Sequence, residues 1–182
     1  MRVIGGAFKG RRITAPKNLP SRPTTDMAKE SIFNILNNHY YFEDIVVLDL
    51  FSGIGSICYE MASRGVPSIV SVEQNFHCTR FIKQTVAELK ADAIQVLKAD
   101  VFSFLEKCNQ KFDVIFADPP YDLENIDRIS ELVFEKDTLA EGGLLIVEHG
   151  PRTDLSGQKH FAYTKRYGHS TFSFFDPAYQ QK

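Results

Sequence analysis

Apolar residues change their spacing once along this chain, near residue 44. Before that point the pattern is broken. Residues 2–14 alternate loosely around Gly5-Gly6 and Lys9-Gly10, which predicts a short hairpin. Residues 15–24 hold Pro16, Pro20 and Pro23 and should form a rigid, extended loop. Thr24-Thr25 offers an N-cap, and Ile32, Phe33, Ile35 and Leu36 give an apolar face to a helix over 26–38. After residue 44, short apolar runs alternate with amphipathic stretches. Strands are predicted at 45–51, 68–73, 94–98, 112–118 and 144–148. Helices are predicted at 56–64 (closed by Gly65), 75–90, 101–107 and 126–134. The segments 161–167 and 171–175, around Gly168, read as a closing hairpin. Buried strands alternating with helices predict an α/β fold with a mostly parallel sheet covered on both faces. The change near residue 44 divides the chain into an N-terminal extension, 1–42, and a main domain, 43–182.

Charge sharpens that division. The chain carries a net −2, but residues 1–42 hold seven basic and two acidic residues, a net of +5, leaving −7 for the rest. The basic set is Arg2, Lys9, Arg11, Arg12, Lys17, Arg22 and Lys29. A basic arm on an acidic body suggests contact with a polyanion; the bland alternative is a solvated face with chance clustering. No apolar run approaches the roughly 20 residues that span a bilayer, and the N-terminus lacks the apolar core of a signal peptide. Cys58, Cys78 and Cys108 are far apart with no CxxC spacing, which predicts reduced thiols in a cytoplasmic protein. None of His39, His77, His149, His160 and His169 has metal-ligand spacing, so no metal is expected. His149 reads as a satisfied loop histidine and His169 as turn surface.

Candidate chemistry gathers at the carboxyl ends of strands, where open α/β sheets bind ligands. Asp49-Leu50-Phe51-Ser52-Gly53-Ile54-Gly55 joins the first strand to its helix. Its glycines permit a tight turn and close approach to a ligand, and Phe51 should pack near that ligand. The dinucleotide fingerprint fails at its third glycine, where Cys58 stands. An acid at Asp49 also disfavours a pyrophosphate and suits a cationic ligand. Glu73 ends the second strand and is placed to accept from both ribose hydroxyls. Asp100, followed by Val101, ends the third strand and could meet an adenine amine. Helix capping is an equal reading for Asp100. A nucleoside-bearing cofactor with a cationic end, such as S-adenosylmethionine, fits this set.

Asp118-Pro119-Pro120-Tyr121 follows the fourth strand. A nucleobase amine is a poor nucleophile because its lone pair is delocalised. The Asp118 carboxylate and the Pro119 carbonyl could bind its two hydrogens and orient that lone pair. Prolines add rigidity without a competing donor, and Tyr121 can stack on the base. The target would be unpaired or flipped out. A proline-terminated strand whose acid caps the next helix is the plainer alternative.

With these motifs in hand the chain resembles the class I S-adenosylmethionine-dependent methyltransferases that act on amines. Arg2-Val3-Ile4-Gly5-Gly6, Lys9-Gly10-Arg11, Arg22-Pro23-Thr24-Thr25-Asp26, Lys29-Glu30 and Ile32-Phe33-Asn34 narrow the resemblance. They are similar to the N-terminal signature of the RsmD family of bacterial 16S rRNA guanine-N2 methyltransferases. Lys165-Arg166-Tyr167-Gly168 through Phe174 is similar to that family's closing hairpin. The resemblance implies a Rossmann-like, seven-stranded sheet with an N-terminal hairpin and helix. It implies methylation of one guanine of 16S rRNA, guanine 966 by family precedent, in an assembled or assembling small subunit. It implies cofactor contacts by Gly53, Gly55, Glu73 and Asp100, and a monomer is expected. Catalysis would fall to Asp118, Pro119, Pro120 and Tyr121. Lys9, Arg11, Arg12 and Arg22, with Thr24 and Thr25, would contact RNA, and Arg22–Asp26 would lie over the cofactor. Two alternatives stand beside this: a DNA adenine-N6 methyltransferase, and a catalytically silent RNA-binding module in ribosome assembly.

Overall fold

A computed structural model of the chain describes residues 1–20 and 24–180. Its strands are β1 (Val46–Leu50), β2 (Ser68–Glu73), β3 (Ile94–Lys98), β4 (Phe112–Ala117), β5 (Leu139–His149), β6 (Phe161–Tyr167) and β7 (Ser170–Phe175). Its α-helices are α1 (Asp26–His39), α2 (Ser56–Ser63), α3 (Phe76–Leu89), α4 (Val101–Lys107) and α5 (Asp127–Glu135). The sheet among the described residues has seven strands in the order β3-β2-β1-β4-β5-β7-β6. β1 to β5 pair in parallel, and β7 inserts antiparallel between β5 and β6.

Successive strand residues point to opposite faces, so one sheet supports two apolar layers. Val47, Ile69, Val114, Phe116 and Ile146 pack with α1, α2 and α3. Leu48, Leu50, Val70, Ile115 and Leu145 pack with α4 and α5. Because both faces are covered, the strands read as unbroken apolar runs in the sequence.

The N-terminal extension belongs to the first of these layers: Val3, Ile13, Ala28, Ile32, Phe33 and Leu36 share its core. Thr25 caps α1, its hydroxyl accepting from the Ala28 amide at 3.2 Å. The expected hairpin over residues 2–14 closes through a single antiparallel bridge, Arg2 to Arg12. Longer pairing is lost because α2 takes the intervening backbone. The Glu60 carboxylate accepts from the Ile4 amide at 3.0 Å and the Gly5 amide at 2.8 Å. The Ser63 carbonyl accepts from Ala7 at 2.6 Å, and the Ser63 hydroxyl from Phe8 at 2.8 Å. Gly6 is required there, since at φ +73 an added Cβ would collide with the Ser63 carbonyl.

Glu60 is fully buried, so its charge needs partners. Arg64 lies 3.2 Å away and Lys29 Nζ 3.8 Å. Lys29 also donates to the Arg2 carbonyl at 2.6 Å. Burial pushes the Lys29 ammonium down, while Glu60 and Asp26 hold it up. Lys29 therefore leaves the exposed basic set: it is an internal strut, only 1% exposed.

Strand β5 starts five residues earlier than its apolar run suggests. Phe112 pairs with Leu139 but Val114 with Leu144, so β5 carries extra residues around Gly142, at φ +71.

Candidate active site

Strand order reverses between β1 and β4. From β1 the chain moves outward through β2 and β3, then returns to the other side of β1 as β4. Such a reversal leaves a crevice at the carboxyl edge of the sheet. Register fixes what faces it. Val72, Leu50 and Ala117 lie side by side, and Ala117 pairs with Val147. The next residues on those four strands are Glu73, Phe51, Asp118 and Glu148. Strands about 4.8 Å apart spread this row over roughly 14 Å. A cavity of about 1180 Å³ opens above it. A shallower hollow of about 460 Å³ lies between α4 and α5, lined by Phe102, Glu106 and Arg128 among others. Arg128 is already engaged there by Glu131 and Glu135, so the hollow offers no convergent set for a ligand.

The β1 side of the cavity is a turn held open by glycine. Gly55 caps α2 at φ +85, and an added Cβ would lie 2.7 Å from the Tyr59 ring. Phe51, a bulky residue at φ +58, is strained by about 1–3 kcal/mol. That conformation sets its ring edge-on to Phe102 of α4, centroids 6.3 Å apart, while Phe51 still lines the cavity. Glu73 stabilises the turn: Oε2 accepts from the Gly53 amide and Oε1 from the Asn75 amide, each at 2.8 Å.

Asp49 lies one row below, buried in β1 yet lining the cavity. Burial pushes its carboxyl up to about 7, against a downward pull from the Cys58 thiol, which donates to Oδ2 at 2.9 Å. The Cys58 thiol is itself pushed far up by burial, so it stays protonated at neutral pH. Ser56, at the start of α2, also lines the cavity, and its buried hydroxyl has no protein partner.

On the β4 side Asp118, Pro119, Pro120 and Tyr121 all line the cavity. The Asp118 amide donates to the Leu50 carbonyl at 3.3 Å, joining the two motifs through the backbone. The Tyr121 hydroxyl donates to Glu148 Oε1 at 3.1 Å and lies 3.1 Å from the Ser170 hydroxyl. Gly150 packs beside the ring, where an added Cβ would come within 3.3 Å of it. Burial pushes the Tyr121 phenol up, and the Glu148 and Asp118 charges push the same way.

Thr24 and Thr25 line the same cavity, with the Thr24 hydroxyl 3.4 Å from Glu148 Oε2. Other expected residues lie elsewhere. Asp100 is exposed and caps α4, Oδ1 accepting from the Ser103 amide at 2.9 Å. Val101 is buried in the α4–α5 core. Neither they nor Gly55 line the cavity. Lys9, Arg11 and Arg12 are exposed on the N-terminal hairpin, outside the lining. Arg22 lies outside the described residues.

Several lining residues carry weaker signals in the sequence. Glu148 ends its strand's apolar run, the same signal that singles out Glu73, but the neighbouring His149 masks it. His149 is in fact the last residue of β5. It is buried, its ring bonded to the Ser173 hydroxyl at 2.8 Å and the Gly150 carbonyl at 2.9 Å. Tyr167, Gly168, His169 and Ser170 form one wall from the β6–β7 turn. His169, read as turn surface, is exposed but belongs to that wall. Only the long-range pairing of β5 with β7 brings that turn here. Among the described residues no group of acidic, histidine and cysteine side chains could hold a metal. No described helix is long and apolar enough to cross a membrane.

Known proteins resemble this chain in sequence and fold. The chain is 35% identical over 159 residues to "Putative rRNA methyltransferase YlbH" of Bacillus subtilis (strain 168), covering 85% of each. It is 30% identical over 148 residues to "Ribosomal RNA small subunit methyltransferase D" of Escherichia coli (strain K12), covering 81% of this chain and 74% of the relative. A solved structure, "Putative methyltransferase yhhF from Escherichia coli", superposes with a TM-score of 0.84 at 26% identity over 99% of both chains. The family described as conserved hypothetical protein 95 matches residues 1–176. The chain therefore belongs to that family, the RsmD family of class I methyltransferases.

Proposed function

We propose that this protein transfers a methyl group from S-adenosylmethionine to the exocyclic N2 amine of a guanine in the 16S rRNA of the small ribosomal subunit. The observation that carries this reading is that Asp118-Pro119-Pro120-Tyr121 shares one cavity with Gly53 and Glu73. Membership of the RsmD family supports methylation of rRNA; the N2 amine and guanine 966 are the finer reading. The resemblance extends it to the subunit as substrate, and the reduced thiols to a cytoplasmic setting, with the protein acting as a monomer.

The cofactor's fit rests on this chain's residues. Asp49 is a buried carboxyl poised near neutrality, which a neighbouring cation would ionise. The Ser56 hydroxyl lacks a protein partner in the cavity wall, a position suited to a polar ligand atom. Glu73 has one backbone donor on each oxygen, and a carboxylate oxygen accepts two, so ribose hydroxyls can join them. S-adenosylmethionine supplies an electrophilic methyl group on a positively charged sulfur.

The base is handled by the β4 end. Asp118 and the Pro119 carbonyl receive the two amine hydrogens, turning the nitrogen lone pair toward the methyl group. As the N–C bond forms, the C–S electron pair stays on sulfur and positive charge develops on nitrogen. Asp118 stabilises that charge, and the nitrogen then loses a proton without needing a strong base. Tyr121, its hydroxyl fixed by Glu148 and Ser170, offers a preset stacking surface worth about 1–3 kcal/mol. Lys9, Arg11 and Arg12 hold rRNA phosphates on the outer surface, with Arg22 as a fourth cation. Thr24 and Thr25 lie at the base of that arm, on the cavity.

The test is mass spectrometry of 16S rRNA from cells lacking this protein. One N2-methylguanine should disappear and return on complementation. An unchanged set of modified nucleosides would overturn the reading.

A further inference from the structure

Two carboxylates, not one, stand where the base must enter. We propose that Glu148 is the residue that selects guanine over adenine, by accepting the N1–H next to the amine that Asp118 receives. This rests on the guanine-N2 reading above and adds the group that recognises the rest of the base edge.

The placement follows from register. Ala117 pairs with Val147 in parallel, so the next residues, Asp118 and Glu148, are neighbours on one face, above Phe116 and Ile146. Adjacent strands are about 4.8 Å apart. Along the row, Glu73 and the glycine turn lie on the β2–β1 side of Asp118, and Glu148 lies on the opposite, β5 side. Glu148 is thus on the side away from the cofactor turn. Its side chain is 4% exposed and lines the cavity. Two hydroxyls orient it, Tyr121 at 3.1 Å and Thr24 at 3.4 Å. The stacking residue and the second acceptor are therefore fixed relative to each other.

The chemistry distinguishes the bases. Guanine offers adjacent donors, the 2-amine and N1–H, which two neighbouring carboxylates can accept together. Adenine offers its 6-amine beside a bare N1 lone pair. Glu148 would face that lone pair with its own, a repulsion that rejects the wrong base. Loss of one hydrogen bond to a charged group should lower the rate about 10- to 100-fold.

The experiment uses small subunits reconstituted with 16S rRNA carrying either guanine or 2,6-diaminopurine at the modified position. The analogue keeps the 2-amine but has no N1–H. The full-length protein should methylate guanine about 10- to 100-fold faster than the analogue. In Glu148→Gln the ratio should fall to within about threefold, because the amide can donate to a bare N1. Should that variant fail to fold, Glu148→Asp, which withdraws the carboxylate, should also narrow the ratio. Equal rates of the unaltered protein on both bases would overturn the proposal while leaving N2 methylation intact. So would a variant that slows both reactions equally, since Glu148 would then only hold Tyr121. If the unaltered protein forms no N2-methylguanine on the guanine subunit, the functional reading itself fails.

Discussion

Replacing Asp49 with Asn should strengthen the fold and weaken the cofactor site. The Asp49 carboxyl titrates near pH 3.8 when unperturbed and at about 7 in the fold, chiefly because burial penalises its charge. The two differ by about three pH units, and at about 1.4 kcal/mol for each the fold resists the charge by roughly 4 kcal/mol. The folded state thus holds a proton that the unfolded chain has released between about pH 4 and 7, so stability falls as pH rises through that window and levels off above it. Asp49→Asn carries no charge at any pH and can still accept from the Cys58 thiol. It should unfold later in urea at pH 8, by about 1–3 kcal/mol, and match the parent near pH 4. Binding runs the other way. A cationic cofactor favours the ionised form, so parent affinity should weaken about tenfold per unit below pH 7. Calorimetry at pH 7 in buffers of different ionisation enthalpy should show release of about half a proton. The variant should bind weakly at every pH and release none. An equal stability difference at pH 4 and pH 8, or parent binding without proton release, would refute this account.

Asp118→Ala should lower kcat about 10²–10³-fold with cofactor affinity unchanged by calorimetry, and near-normal turnover would exclude Asp118 from activating the amine. Replacing Lys9, Arg11 and Arg12 together with Ala should weaken subunit binding and flatten its salt dependence. The log-log slope should fall by about 0.7–0.9 for each phosphate no longer neutralised, while cofactor binding is spared. Filter binding across a salt series measures both affinity and slope, and an unchanged slope would remove the arm from RNA contact. Glu60→Gln should cost about 3–5 kcal/mol in urea unfolding, since it leaves Lys29 buried without a full counter-charge. A double change of Glu60→Gln and Lys29→Met should cost less than the two single losses combined.

The elements of the main domain are legible in the sequence because their cause is local. A strand covered on both faces must be apolar throughout, and 112–117 is, save for Asp113. The candidate site motifs are legible for a related reason: a polar residue just after such a run has only the sheet's edge to occupy. What cannot be read depends on distant partners. Lys29 counts as a basic-arm residue until Glu60, 31 positions later, is found beneath it. Glu60 itself sits in a helix buried nearly all round, and nothing in its local sequence marks where the counter-charge comes from. Ser170 meets Tyr121 only because β7 lies between β5 and β6. Asp100 shows the converse limit. Its position after β3 suits a cofactor acid and a helix cap equally, and a helix does begin at the next residue, capped by its carboxylate.

The insertion of β7 beside β5 also bears on how the protein is made. The final strand by sequence covers the β5 edge, and the turn before it supplies Tyr167, Gly168, His169 and Ser170 to the cavity wall. A chain leaving the ribosome can fold β1 to β4 early, as N-terminal parts generally do. It cannot complete the wall until residues 161–175 emerge. Until then β5 is an unpaired edge, open to pairing with another chain, and Tyr121 lacks its Ser170 partner. The site is therefore assembled only once β6 and β7 have emerged, and truncations within them should yield aggregation-prone chains before they yield slow enzymes.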